Sequence, residues 1–387
     1  MTPAARVAAS IEVLDLIFDG STPEKSLTGW GRRHRFAGSK DRAAIRDHVF
    51  QALRCRASYA WLGGAETGRG VMLGAMRAAG QVDEMFSGIA HAPRVVEDGE
   101  DARALEDADR ATQNDMPEWL LPHFDGALGA DADGVMDTLK TRAGVFLRVN
   151  AARTNAMEMI DVLARDGVMA GLVINIKNAL QVTYNERRLV HTDAYITGLI
   201  ELQDASSQHA MIALGLTAGQ RVLDLCAGGG GKALAMAALG ADVAAHDIDP
   251  RRMVDLAPRA DRAGVVIETV MTDALSSLAP FDVVLVDAPC SGSGTWRRTP
   301  AAKWDLTAER LLELTQIQDD VLVQAAALVE VGGTLAYATC SVFDVENGDR
   351  IDEFTEKSGN FELTSKSLRR PRADGDGFFF AQLCRAV

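Results

Sequence analysis

From residue 220 onward the chain alternates short apolar runs with helical stretches, and no other feature narrows the fold as far. The spacing predicts strands over 220–225, 242–246, 265–270, 283–286 and 333–338, with helices over 232–239 and 308–329. Strands separated by helices lie side by side in a mostly parallel, doubly wound α/β sheet. In such sheets ligands bind just beyond the carboxyl ends of the strands. Those ends carry Asp247, Asp273 and Asp287, then Cys290 and, after the last strand, Cys340. An acid and a thiol so placed suit chemistry, although a free Cys also serves as a small core residue and an Asp as a helix cap.

The alternation occupies only 201–387. Before it, Val7, Ile11, Leu14 and Phe18 share one helical face closed by Gly20 and Ser21. Ile45, Val49, Ala52 and Leu53 line another, with Arg42, Arg46 and Arg54 outward; helical pattern continues over 71–85, and Pro117 opens a further helix. An all-α domain over 1–140 is expected. From Val145 the period changes to a strand over 145–150, a helix over 155–164 and strands over 172–176 and 180–184. These make a small α+β module over 141–200.

A net charge of −14 argues against a surface that grips nucleic acid all over. Yet 97–109 alone holds seven acids and one arginine, which is −6 of the −14. Basic clusters remain at Arg32-Arg33-His34-Arg35, Arg187-Arg188, Arg297-Arg298 and Arg369-Arg370 with Arg372. Charge leaves the partner open. Five widely spaced cysteines without a CxxC pair or a metal-ligand cluster indicate reduced thiols in the cytoplasm. No apolar run approaches the ~20 residues of a membrane span, and the N-terminus lacks the apolar core of a signal peptide. Neither membrane nor metal is expected.

Asp224-Leu-Cys226-Ala227-Gly228-Gly229-Gly230-Gly231-Lys232 is a glycine-rich turn between strand and helix, where the backbone can approach a ligand closely. It fits poorly as a dinucleotide fingerprint, because the glycines are consecutive and an acid precedes them. It also fails as a P-loop, because Ala233 follows Lys232 where Ser or Thr is required. An acid some twenty residues past such a loop accepts ribose hydroxyls. Further acids would repel phosphates but suit a ligand bearing an ammonium, a sulfonium and an adenine amino group. S-adenosylmethionine is that ligand.

The two strand-end cysteines share one rim of the sheet. Methylating carbon 5 of a pyrimidine requires a nucleophile on carbon 6, for which a thiolate is suited, being both strong and a good leaving group. A base must then remove the proton at carbon 5, and an acid near nitrogen 3 stabilises the electron-rich adduct. Cys340, Cys290 and Asp287 meet these demands.

The chain resembles the Sun-type RNA cytosine-5 methyltransferases. The resemblance rests on Asp287-Ala-Pro-Cys290-Ser-Gly-Ser-Gly, Arg297-Arg298-Thr-Pro-Ala-Ala-Lys303-Trp304 and Tyr337-Ala-Thr-Cys340-Ser341. Gln203-Asp204-Ala-Ser-Ser-Gln208, Asp247-Ile-Asp249-Pro and Asp376-Gly-Phe-Phe-Phe-Ala381 extend it. The N-terminal helices resemble the NusB-like RNA-binding domain more diffusely, through Asp41-Arg42 and Leu53-Arg54. The resemblance implies a Rossmann-like catalytic domain over 201–387 behind an RRM-like module and a NusB-like domain. It implies Cys340 as nucleophile, with Cys290 assisting proton removal and product release. Cys226 to Lys232, Asp247, Asp273 and Asp287 would contact S-adenosylmethionine. Arg297, Arg298, Lys303 and Trp304 are expected to line the entrance for RNA, which is expected to be ribosomal. The target cytosine would be unpaired or flipped from its stack, and the protein would act as a monomer.

One departure stands out. The family loop reads Cys-Ala-Ala-Pro-Gly-Gly-Lys, whereas this chain has Gly228 and Gly229 at the Ala-Pro positions. Loss of the Pro removes a φ restraint, so a looser loop is expected. A methyltransferase for amino groups would use an Asn/Asp-Pro-Pro-aromatic loop and has no use for Cys340. A non-catalytic RNA-binding or assembly factor that retains the fold is the remaining alternative.

Overall fold

Five parallel strands, the central ones buried in continuous runs because both faces of the sheet are covered, set the larger unit. In the computed structural model, which describes residues 1–278 and 280–386, β5 (Arg221–Asp224), β6 (Asp242–Ala245), β7 (Ile267–Thr269), β8 (Phe281–Asp287) and β9 (Val329–Thr339) pair in parallel. They are preceded by β1 (Val145–Val149), β2 (Met169–Leu172), β3 (Ala179–Tyr184) and β4 (Ile200–Leu202), and followed by β10 (Phe361–Arg369) and β11 (Phe378–Arg385). The large sheet runs β10-β11-β9-β8-β5-β6-β7, with β10 and β11 antiparallel. That closing hairpin is absent from the sequence-based expectation. It needs no crossover helix, so the helix–strand alternation gives no sign of it.

Alternate side chains along the strands feed two cores. On one face Leu223, Val284, Val286 and Leu335 pack with Leu322 and Ala325 of the helix Ala308–Ala326 and with Ile351 and Phe354 of Gly348–Ser358. On the other, Val222, Val283, Leu285 and Ala336 meet Met211 of Ala205–Ala213, Leu234 and Met236 of Gly231–Ala238, and Leu256 of Leu256–Ala263. Strands β6 and β8 flank β5, so the order reverses there. That reversal is the topological switch point where such sheets bind ligands.

The four-stranded antiparallel sheet β2-β3-β1-β4 belongs to the same unit, which comprises Ala143–Thr295 and Leu306–Val387. The module therefore does not stand apart as a third body. The buried Asn150 amide donates to the Ala263 carbonyl at 2.8 Å, and buried Glu201 holds Arg259 at 3.0 Å and also Arg262. Both links are invisible to a residue-by-residue reading, because each joins segments over fifty residues apart.

The second unit comprises Met1–Arg142 together with Trp296–Asp305. Helices Pro3–Phe18, Ser39–Arg54 and Gly68–Ala78 centre its core on Val7, Leu14, Ile45, Val49, Leu53 and Met72. Gly63 and Gly74 let Arg56–Gly63 pack backbone to backbone on Gly68–Ala78; a Cβ at either would strike the opposing main chain. The acidic 97–109 segment is pinned to these helices: Arg69 pairs with Glu100 at 2.6 Å, and the Trp61 indole donates to Ala104 at 2.9 Å. Among the described residues no helix is long and apolar enough to cross a membrane.

The ten residues Trp296–Asp305 are the surprise. Trp296 packs on Phe124, with ring centres 6.2 Å apart. Arg54 donates to the Arg297 carbonyl at 2.7 Å, the Lys303 ammonium donates to the Arg54 carbonyl at 2.8 Å, and the Trp304 indole donates to the Leu53 carbonyl at 2.8 Å. Arg297 and Lys303 are only 2% and 1% exposed. Their expected place at an RNA entrance is therefore corrected: they are interior residues of the helical unit, and Trp304 is half-buried beside them. Only Arg298 of the four is exposed. A basic, aromatic-rich stretch reads the same from sequence whether its cations meet phosphates or backbone carbonyls.

Candidate active site

The carboxyl ends of β5, β6, β8 and β9 converge on one rim. Past β8 the chain turns through Asp287-Ala-Pro-Cys290, and past β9 it ends in Thr339-Cys340. Because β8 and β9 are parallel neighbours with Asp287 opposite Ala338, the two cysteines are brought together, Sγ to Sγ at 3.4 Å. Lys232, at the start of the helix after β5, reaches across the switch point to Asp287 at 2.7 Å. Burial alone would pull the Lys232 ammonium down, but Asp287 outweighs it and the ammonium is held above its ordinary value.

The environments of the three thiols at this rim of the sheet differ. Cys340 is lowered, chiefly by the hydrogen bond from Cys290, against burial and with help from the Thr295 hydroxyl and the charge of Lys232. Cys290 is raised, by that same bond and by burial, with the charge of Glu346 adding to it. Cys226 is pushed up to about 12 by burial and by the nearby acids, Asp224 first. One thiolate is thus favoured, at Cys340, with a thiol donating to it. A thiolate is the reactive form.

A polar scaffold that the sequence reading did not single out fixes the two loops. The Ser293 and Ser341 hydroxyls lie 2.8 Å apart, the Val342 N–H donates to Ser293 at 2.9 Å, and the Phe343 N–H donates to Ser341 at 3.1 Å. Behind them sits Glu346, fully buried, accepting the Ser291 N–H at 2.7 Å, the Ser291 hydroxyl and the Gln318 amide at 3.2 Å. Gln318 also donates to the Pro289 carbonyl at 2.8 Å. Asn347 joins Thr339 at 2.6 Å and the Ser341 carbonyl at 3.0 Å. The available signal was a Glu-Asn pair shortly after Cys340, directly ahead of a helix that closes the core.

The glycine-rich loop runs as the expected cradle. The Gly228 N–H donates to buried Asp247 at 2.9 Å, and Asp247 also accepts the Asp249 N–H at 3.0 Å and pairs with Arg252 at 3.1 Å. Cys226, Ala227, Gly231 and Lys232 are partly open, Gly229 is exposed and Gly230 is buried. Beneath the loop, Asp224 is fully buried, and among the described residues neither carboxyl oxygen has a hydrogen-bond partner beyond a loose approach to the Ala233 N–H. Burial, with the charge of Asp287, pushes its carboxyl up to about 7. Asp273 lies exposed in a 3-10 turn past β7. An unsatisfied buried acid, strand-end carboxylates and a glycine cradle fit an ammonium- and hydroxyl-bearing nucleoside, not a polyphosphate.

Gly230 has φ +79, and a Cβ there would overlap the Leu256 side chain. Gly230→Ala should displace the loop at a cost of about 1–3 kcal/mol. In calorimetric titration, S-adenosylmethionine affinity should fall roughly ten- to hundredfold. Unchanged affinity would show that the loop does not hold the cofactor.

A doubly wound sheet with a glycine cradle at its switch point and a thiol pair beyond the next strands defines an S-adenosylmethionine-dependent methyltransferase. The family model for 16S rRNA methyltransferase RsmB/F matches residues 211–383. Ribosomal RNA small subunit methyltransferase B of Yersinia pseudotuberculosis is 30% identical over 301 residues, covering 73% of this chain and 70% of that protein. The crystal structure of PH0851 superposes with a TM-score of 0.76 at 23% identity over 99% of both chains. That of NSun6 from Pyrococcus horikoshii with SFG gives 0.63 at 16% identity, over 70% of this chain and 98% of that one. The chain belongs to the RsmB/F family of Sun-type methyltransferases.

Proposed function

We propose that this protein methylates carbon 5 of a cytosine in ribosomal RNA through a covalent adduct at Cys340. The observation that carries the reading is the pair of sulfurs 3.4 Å apart, one favoured as thiolate, beside the Lys232–Asp287 pair. The residues from Cys226 to Lys232, with Asp247 and Asp287, would hold S-adenosylmethionine, and Asp273 is the outlying member of that set. When bound, the cofactor supplies an electrophilic methyl group.

Cys340 adds to carbon 6 of the ring, which makes carbon 5 nucleophilic. Asp287, oriented by Lys232, faces the ring nitrogen and steadies the electron-rich adduct. Once carbon 5 bears the methyl, a solvent water takes its proton, the electron pair of that C–H bond re-forms the carbon 5–carbon 6 double bond, and the carbon 6–sulfur bond breaks so that Cys340 leaves as thiolate. Cys290 assists this stage, because its S–H can hydrogen-bond the departing sulfur. The helical unit and the α+β module supply the grip on RNA, the former in the manner of a NusB-like domain.

Incubation with protein-free small-subunit ribosomal RNA and methyl-labelled cofactor, followed by digestion to nucleosides and mass spectrometry, should find the label in 5-methylcytidine. Label in any other nucleoside, or in protein alone, would sink the assignment.

A further inference from the structure

We propose that Glu346, buried behind the Pro-Cys loop, decides which of the two cysteines is the nucleophile, by disfavouring negative charge on Cys290 and leaving it to Cys340. The proposal rests on the covalent reading above and adds a residue that touches neither substrate nor cofactor. Glu346 is a positioning residue acting through Cys290.

The two sulfurs are close enough to share one proton, and each lies just past one of two neighbouring parallel strands. Asymmetry must come from the groups around them. On the Cys340 side stand Asp287, which opposes a thiolate, Lys232, which favours it, and the Thr295 hydroxyl, 3.8 Å from the sulfur. Asp287 and Lys232 are paired at 2.7 Å, so their effects largely cancel. Asp224 lies under that pair and adds a further acid on the cofactor side.

On the Cys290 side the balance differs. Glu346 is bonded to the N–H and hydroxyl of Ser291, the residue after Cys290, and through Gln318 to the carbonyl of Pro289, the residue before it. All of these partners are neutral, and among the described residues none of its bonds is to a cation. Arg350, which donates to the carbonyl of Val345, the residue before Glu346, is committed to Asp319 at 2.8 Å and to Glu353 at 2.8 Å. Tyr337 donates its hydroxyl to the Glu346 backbone carbonyl at 2.7 Å and is held un-ionised by burial. A buried carboxylate without a counter-charge projects its field on whatever lies beside it, and that is the Pro-Cys loop. Cys290 therefore keeps its proton and becomes the donor to Cys340.

The test is alkylation of the full-length protein alone by iodoacetamide across pH 6 to 10, with each cysteine read separately by peptide mass spectrometry. In the wild type, Cys340 should react ahead of Cys290. Glu346→Gln keeps the shape and an acceptor for Ser291 but removes the charge. It should lower the ratio of Cys340 to Cys290 reactivity about tenfold, as the loss of one like charge implies. It should also move the Cys340 midpoint up and the Cys290 midpoint down. Ser291→Ala removes a hydrogen bond but not the charge, and should preserve the ratio. If Glu346→Gln leaves both profiles in place in a protein with wild-type circular dichroism, or if Ser291→Ala alone collapses the ratio, the charge does not assign the roles. The readout needs no RNA, so a failure of RNA trapping at Cys340 would overturn the covalent reading and leave the charge assignment standing.

Discussion

Cys340→Ala should abolish methyl transfer, while Cys290→Ala should leave the protein bound to its RNA through a denaturation-resistant link. The asymmetry follows from the two sulfur environments. Cys340 is the favoured thiolate, so its removal deprives carbon 6 of a nucleophile, a loss on the order of 10⁴-fold or more. Cys290 keeps its proton and adjoins the sulfur that must leave, so its removal spares addition and slows release. With cofactor and total RNA, denaturing gels should show an RNA-linked band for Cys290→Ala and none for Cys340→Ala. The opposite pattern would exchange the roles of the cysteines. No band with either variant, despite cofactor binding, would favour an RNA-binding factor that retains the fold.

Lys303→Ala should destabilise the helical unit by about 3 kcal/mol without altering the salt dependence of RNA binding. The side chain is buried, its stem packs in the core, and its ammonium satisfies the Arg54 carbonyl. Truncation therefore leaves both a cavity and an unpaired acceptor. Lys303→Met keeps the stem and should cost about 1–2 kcal/mol. Burial brings the Lys303 ammonium down to about 8, against the opposing charge of Asp115, from an ordinary 10.5. Between those values the unfolded chain binds more protons than the folded one. This residue's contribution to stability must therefore increase with pH across that window. Wild type should gain on Lys303→Met in urea melts as pH rises from 8 to 10.5. An RNA contact would behave otherwise, with the salt slope falling by about one and stability unmoved.

The parallel strands were legible in the sequence because four of the five are short runs ending in or closely followed by an acid, and the fifth leads into Thr339-Cys340. The hairpin β10–β11 was not, since antiparallel neighbours need no helix between them. Arg297 and Lys303 misled for a physical reason. A cation that satisfies a backbone carbonyl inside a protein has the same local sequence as one that meets a phosphate outside it. Glu346 and Gln318 lay beyond the sequence reading because their meaning depends on contacts with the Pro-Cys loop 29 to 55 residues away. Of the acids assigned to the cofactor, Asp247 joins the glycine loop directly and Asp287 joins it through Lys232, whereas Asp273 is exposed.

The place of Trp296–Asp305 in the helical unit has a consequence for how a ribosome can make this protein. The first 142 residues emerge with the site for Trp296 and Lys303 empty and with the Arg54 carbonyl lacking its ammonium partner. At ordinary elongation rates the missing segment follows roughly 8–30 s later. Throughout that interval the nascent N-terminal helices display apolar surface that Trp296–Asp305 will later cover. Delivery of that late segment brings with it the Pro-Cys loop, so the amino-terminal half is finished in the same stretch of translation that supplies Cys290. A ribosome that stalls before codon 305 releases a helical domain without its last core residues, which should mark it for chaperones or proteolysis.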